Sequence, residues 1–179
     1  MPKSIYIVKE KGRDNEARVL SFLLGKEIDV KSSIFTEKQF VQNEHQWANS
    51  QPVIFLGDTD PARSYLPMVK MKYDQFGIQW GWDYTKLVIL ARTTDLLSRD
   101  LEKIDKDVTK EFKKESQKVE WYGTALHFVL FFPAILPIVV WSWLAEEQKS
   151  RRLQYSIAIK TFIMSGARKF IKDSATVTP

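Results

Sequence analysis

Two short loops hold the residue types that could do chemistry. Lys11-Gly12-Arg13-Asp14 and Gly57-Asp58-Thr59-Asp60 each set charge beside glycine directly after an apolar, strand-like run. If both runs are parallel strands of one sheet, the loops emerge together at its carboxyl edge, where open α/β sheets bind ligands. Lys11 and Arg13 could then hold a phosphate near the start of the next helix, and Asp58 could orient a ribose or a magnesium ion. The same residues read first as caps and turns, and neither loop has the glycine spacing of a dinucleotide fingerprint or a Walker loop. The expected ligand-binding set is therefore Lys11, Gly12, Arg13, Asp14, Gly57, Asp58 and Asp60, with a nucleotide or a protein partner as occupant.

No catalytic residue is expected. Ser21, Ser50 and Ser64 have no motif around them that would supply a base and an orienting acid. His45, in QNEHQW, falls on a polar helical stretch and reads as a surface histidine. Trp80 and Trp82, in GIQWGWD, share one side of a strand, where they provide core or interface area or a surface that stacks on a ligand. With no cysteine and only two histidines, a disulfide scaffold and a thiolate metal site are excluded and zinc is disfavoured. No cofactor is expected. The net charge of +5 comes from 27 Lys and Arg against 22 Asp and Glu. The basic residues gather beside an apolar run, which favours anionic lipid headgroups over nucleic acid as a partner.

The elements that must position these residues follow a βα rhythm. SIYIVK alternates Ile5 and Ile7 against Tyr6 and Val8, a first strand. Asp14 is placed to cap a helix to Leu24, ended by Gly25. Glu27 to Phe35 is a weaker strand, and Thr36 with Gln39 forms a capping box for a helix toward Ala48. PVIFLG, 52–57, reads as a central strand covered on both faces. Asp60 as N-cap and Pro61 then open a short helix. Phe76 to Trp82 and Lys86 to Ala91 read as an antiparallel hairpin, because the turn between them is too short for a helical crossover. The fold class predicted is a small α/β domain, Rossmann-like in its three layers, over residues 1–92.

A charged helical connector follows over 93–120, with Leu97, Leu101, Ile104, Val108 and Phe112 in one stripe. That stripe either packs on the α/β domain or associates with a second copy, and the expectation leans to partial self-association. Next comes the strongest signal in the chain. Trp121 to Ala145 carries no formal charge over 25 residues. As a helix at about 1.5 Å per residue it reaches roughly 37 Å, against a hydrocarbon core of about 30 Å. Trp121 and Tyr122 at one end and Trp141 and Trp143 at the other suit the two headgroup layers. His127, near the end of the run, reads as an interfacial anchor.

Orientation is contested by the charges. Lys103, Lys106, Lys110, Lys113, Lys114 and Lys118 precede the run, while Lys149, Arg151, Arg152 and Lys160 follow it. Both flanks therefore prefer the cytosol. A kinked single span and a re-entrant hairpin bent at Pro133 and Pro137 both remain open. Residues 146–179 read as a basic amphipathic helix and a frayed tail DSATVTP. The helix, with Ile159, Phe162, Ile163, Phe170 and Ile171 on its apolar side, could lie on a membrane, pack back on the soluble domain or line an oligomer interface.

The function expected is that of a non-enzymatic protein of the inner or plasma membrane with its N-terminal domain in the cytosol. That domain senses a ligand or partner, and the apolar run assembles as a homo-oligomer that perturbs the bilayer. The architecture would suit a bacterial stress or phage-defence effector. The alternatives are a tethered enzyme acting on a nucleotide or lipid headgroup, with Asp14, Asp58 and Asp60 as acids or metal ligands, and a passive anchor for a soluble partner.

Overall fold

The structure is a computed structural model that describes residues 4–47, 51–65, 73–75, 78–83, 85–91, 98–115 and 140–175. Among these, six strands form one mixed sheet. They are β1 (Ser4–Lys9), β2 (Lys31–Thr36), β3 (Val53–Leu56), β4 (Tyr73–Gln75), β5 (Ile78–Asp83) and β6 (Lys86–Ala91), in the spatial order β2-β1-β3-β6-β5-β4. The first four neighbours are parallel, and β5 and β4 turn back antiparallel. The hairpin expected over 76–91 is present, closed by the pair Asp83 and Lys86. The helices are α1 (Asp14–Ile28), α2 (Glu37–Trp47), α3 (Asp60–Tyr65), α4 (Ser98–Glu115), α5 (Val140–Ser165) and α6 (Ala167–Ala175).

The two-residue period of the strands divides the core into two layers. On one face Ile5, Ile7, Ile54, Leu56, Leu87 and Ile89 meet side chains of α1, α5 and α6. On the other, Val8, Val53, Phe55, Val88 and Leu90 meet Phe40 of α2 and Ala62 of α3. All four residues of β3 are buried, as a strand covered on both sides requires. The coarse expectation of a mixed α/β fold therefore holds.

Local corrections have physical causes. α1 does not stop at Gly25 but runs on to Ile28 and closes at Asp29, whose φ of 59° is left-handed. An interior glycine costs a helix only about 1 kcal/mol, and Ile28 packs against the core. Asp tolerates the left-handed turn better than most residues, and β2 consequently begins only at Lys31. Asp14 is the first residue of α1 rather than its cap, and Arg13 at the N-cap makes no side-chain capping bond. The cap of α3 is Thr59, not Asp60: the Ala62 N–H donates to Thr59 Oγ1 at 3.2 Å. The box at Thr36 and Gln39 forms as expected, with both reciprocal bonds made.

The larger correction concerns the helices after the sheet. The stripe expected to favour self-association is used within the chain, where α4 packs along α5. Leu101 and Phe112 are buried there and Ile104 and Val108 partly so, while Leu97 lies outside the described residues. Of the three placements open to the C-terminal helix, packing back on the sheet is adopted: Ile159, Phe162, Ile163, Phe170 and Ile171 are all buried. At the junction of α5 and α6 a Cβ on Gly166 would stand 2.6 Å from the Trp80 ring, so this close approach needs glycine. Nor does the tail fray from Asp173, since Ser174 is buried and Asp173 accepts a hydrogen bond from Trp82 Nε1 at 3.0 Å.

α4 and α5 run in the same direction. Glu102 pairs with Lys149 at 2.6 Å, and farther along both helices Lys160 Nζ reaches Asp105 at 2.8 Å and Thr109 at 2.7 Å. Among the described residues no helix is long and apolar enough to cross a membrane. The uncharged run up to Val139, with Trp121, Tyr122, His127, Pro133 and Pro137, lies outside them. Trp141 and Trp143 fall in the opening turns of α5.

Candidate functional site at the carboxyl edge

Chain order builds the edge before any side chain is considered. From β1 the chain steps through α1 to β2 on one side, then returns through α2 to β3 on the other. The loops after β1 and β3 thus diverge at a switch point, the place in such sheets where a crevice forms. Backbone bonds tie the first loop to the end of β3 and the second to β6. The Glu10 N–H donates to Leu56 O and the Gly57 N–H donates to Ile89 O, each at 2.9 Å. The expectation that both loops share one edge is met.

Their contact is tight at one point. Gly57 has φ of +106°, and a Cβ there would sit 2.5 Å from Glu10 Cβ and Oε2. Only glycine lets the two loops approach so closely. Gly12 also has a positive φ, of 83°, but faces open space.

The charged side chains are largely engaged with one another. Asp14 pairs with Lys9 at 2.9 Å, and the Lys9 ammonium holds the Asp14 carboxyl below its ordinary value. Arg63 grips Asp58 with two bonds, from Nε at 2.7 Å and Nη2 at 3.0 Å, and reaches Asp60 through Nη1 at 3.0 Å. The hydrogen bond and charge of Asp58 raise the Arg63 pKa further still. Glu37 accepts the Asp60 N–H at 2.7 Å, which draws the head of α2 onto α3. Lys11 is exposed.

Arg13 points inward. Its side chain is only 11% exposed, with Nη1 at 3.3 Å from Glu16 and Nε at 3.9 Å from Glu10. Its guanidinium lies over the Tyr155 ring, 4.9 Å from the centroid, a cation–π geometry. The buried Tyr155 hydroxyl donates to Glu10 Oε2 at 3.4 Å. Burial first, and then the negative charge of Glu10, push that hydroxyl above the ordinary phenol range, so it stays a neutral donor.

This arrangement narrows the chemistry. Around the two loops stand the cations Lys9, Lys11, Arg13, Arg18 and Arg63 and the carboxylates Glu10, Asp14, Glu16, Glu37, Asp58 and Asp60. Carboxylates are at least as numerous as cations there, so the edge carries no surplus of positive charge. Among the described residues no three acidic or histidine side chains converge as a metal site needs. Asp58 and Asp60 would have to release Arg63 before they could serve one. What the edge does offer is a coupled set of charges that ends on a C-terminal helix.

The sequence reading missed Glu10, Glu16, Glu37, Arg63 and Tyr155. Arg63 had a detectable signal, since it stands three residues after Asp60 on a short helix, the spacing of an ion pair. Tyr155 had none. Trp80 is core and Trp82 is partly buried beside it: their rings stack at 5.6 Å, Trp80 meets Phe162 edge-on and Trp82 meets Phe170. His45 lies on α2. No family model, curated protein or solved structure matches the chain.

Proposed function

We propose that the protein is a non-enzymatic, membrane-associated effector or signalling protein. Its α/β body senses a ligand or partner, and its uncharged run acts by assembling in a bilayer with anionic headgroups and perturbing it, a role suited to bacterial stress or phage defence. One observation carries this reading. α5 starts inside the uncharged run, at Val140, and fifteen residues later sets Tyr155 against Glu10 and Arg13 at the carboxyl edge. A change of charge or contact at the edge therefore bears directly on the helix that emerges from the run. The tethered-enzyme alternative has less support, because Asp14, Asp58 and Asp60 are held by Lys9 and Arg63.

Induced expression of the full chain tests the proposal. The protein should stay in the membrane fraction after alkaline carbonate washing, and a potential-sensitive dye should report depolarisation. A polarised membrane at high expression would sink the effector reading.

A further inference from the structure

We infer that α4 and α5, the two described flanks of the uncharged run, remain on one side of the bilayer. This rests on the membrane reading above and adds to it a topology that the sequence left open between a single span and a re-entrant segment.

Two packed helices flank the run in sequence. α4 ends at Glu115 and α5 starts at Val140, and the two belong to one body. α4 is fixed to α5 through Leu101 and Phe112. α5 is fixed to the sheet through Tyr155, Ile159, Phe162 and Ile163, all buried in the same cluster as Ile7 and Ile89. A single crossing would carry α5 across a hydrocarbon core of about 30 Å, away from the sheet it covers. It would uncover that whole face and separate Lys160, only 4% exposed, from Asp105.

The charges make the same point independently. Lys103, Lys106, Lys110, Lys113 and Lys114 lie on α4, and Lys149, Arg151 and Arg152 on α5. Basic residues near a membrane segment are retained on the cytosolic side. A single span must send one of these groups across, whereas a same-side arrangement retains both.

The parallel run of α4 and α5 adds a distance. Glu102 is level with Lys149. Glu115 lies 13 residues beyond that level and Val140 lies 9 residues before it, so at about 1.5 Å per residue the two attachment points are roughly 33 Å apart. The chain thus leaves α4 and enters α5 at two well-separated places.

The absence of native cysteine makes a direct test clean. Lys114→Cys and Gln148→Cys, both at exposed positions, are introduced singly into the full chain, and a membrane-impermeant maleimide is applied to spheroplasts and to inside-out vesicles. Both sites should label in inside-out vesicles, to within about twofold of each other, and neither in spheroplasts. Labelling from opposite sides overturns the inference and leaves the membrane reading intact. Recovery of the wild-type chain in the carbonate-soluble fraction overturns both.

A second measurement guards against a labelled but disrupted body. With Glu102→Cys and Lys149→Cys combined, a short bis-maleimide should link α4 to α5 in membranes as efficiently as in detergent. A drop of tenfold or more in membranes would show the helices parted there and would also overturn the inference.

Discussion

Replacing Lys160 by methionine should loosen the joint between α4 and α5 more than its single ion pair suggests. Lys160 is 4% exposed, and its ammonium contacts Asp105 at 2.8 Å and Thr109 at 2.7 Å, with the Asp105 side chain itself only 18% exposed. Methionine keeps most of the volume but leaves Asp105 charged against an apolar neighbour. Removing one partner of a buried pair costs about 3–5 kcal/mol, most of it the stranded charge. Because water retains some access to Asp105, the lower end applies, about 3 kcal/mol. In urea, with an m-value of about 2 kcal/mol/M, the unfolding midpoint of the full chain in detergent should fall by about 1.5 M, followed by far-UV circular dichroism. Adding Asp105→Leu removes the stranded charge, and Thr109 keeps a partner because its hydroxyl donates to the Asp105 carbonyl. The double variant should return to within about 1 kcal/mol of the wild type. Equal damage in the single and double variants, or a single-variant loss below about 0.5 kcal/mol, would refute the reasoning.

Three further outcomes follow from the geometry. Gly57→Ala combines a φ of +106° with a Cβ placed 2.5 Å from Glu10, so it should destabilise by at least about 2 kcal/mol, read as a lowered melting temperature. The Asp14 carboxyl is held below its ordinary 3.8 by the Lys9 ammonium. Its pairing is therefore fully present above that value and lost as pH falls through the lower folded one. In Lys9→Met, the carboxyl titration followed by NMR should move back up toward 3.8, and an unmoved midpoint would show that Lys9 is not the cause. Residues 1–92 expressed alone should aggregate or bind a hydrophobic dye, because Ile7, Leu87 and Ile89 lose the cover of α5 and α6; a monodisperse, cooperatively folding fragment would contradict this.

Much of the sheet was legible because its signals are local. The alternation in β1, the all-apolar β3, the short turn between β5 and β6 and the box at Thr36 and Gln39 each depend on residues close in sequence. The common edge of the Lys11 and Gly57 loops was also legible, since βα order implies it. Gly25 misled because glycine is a weak stop when the next turn has core to bury. β4 escaped notice because Tyr73-Asp74-Gln75 is short and polar and is recruited by pairing with β5. The stripe on α4 showed that an apolar face existed but not what covers it. The charged residues of the candidate site were visible, but their engagement was not. Arg13 turns inward because Glu16 and Tyr155 await it, and one of these lies at the far end of the chain.

The hydrogen bond between Tyr155 and Glu10 joins residues 145 apart, and that separation has a consequence during synthesis. Some 64 residues separate Ala91, the end of the last strand, from Tyr155. At about 5–20 residues per second the ribosome needs about 3 to 13 s to make them. Throughout that interval the sheet face of Ile5, Ile7, Ile54, Leu87 and Ile89 waits for its lid of C-terminal helices, and the whole uncharged run is made before Tyr155 is. The core therefore closes only after the uncharged run has been made, and the first strands wait longest for their cover.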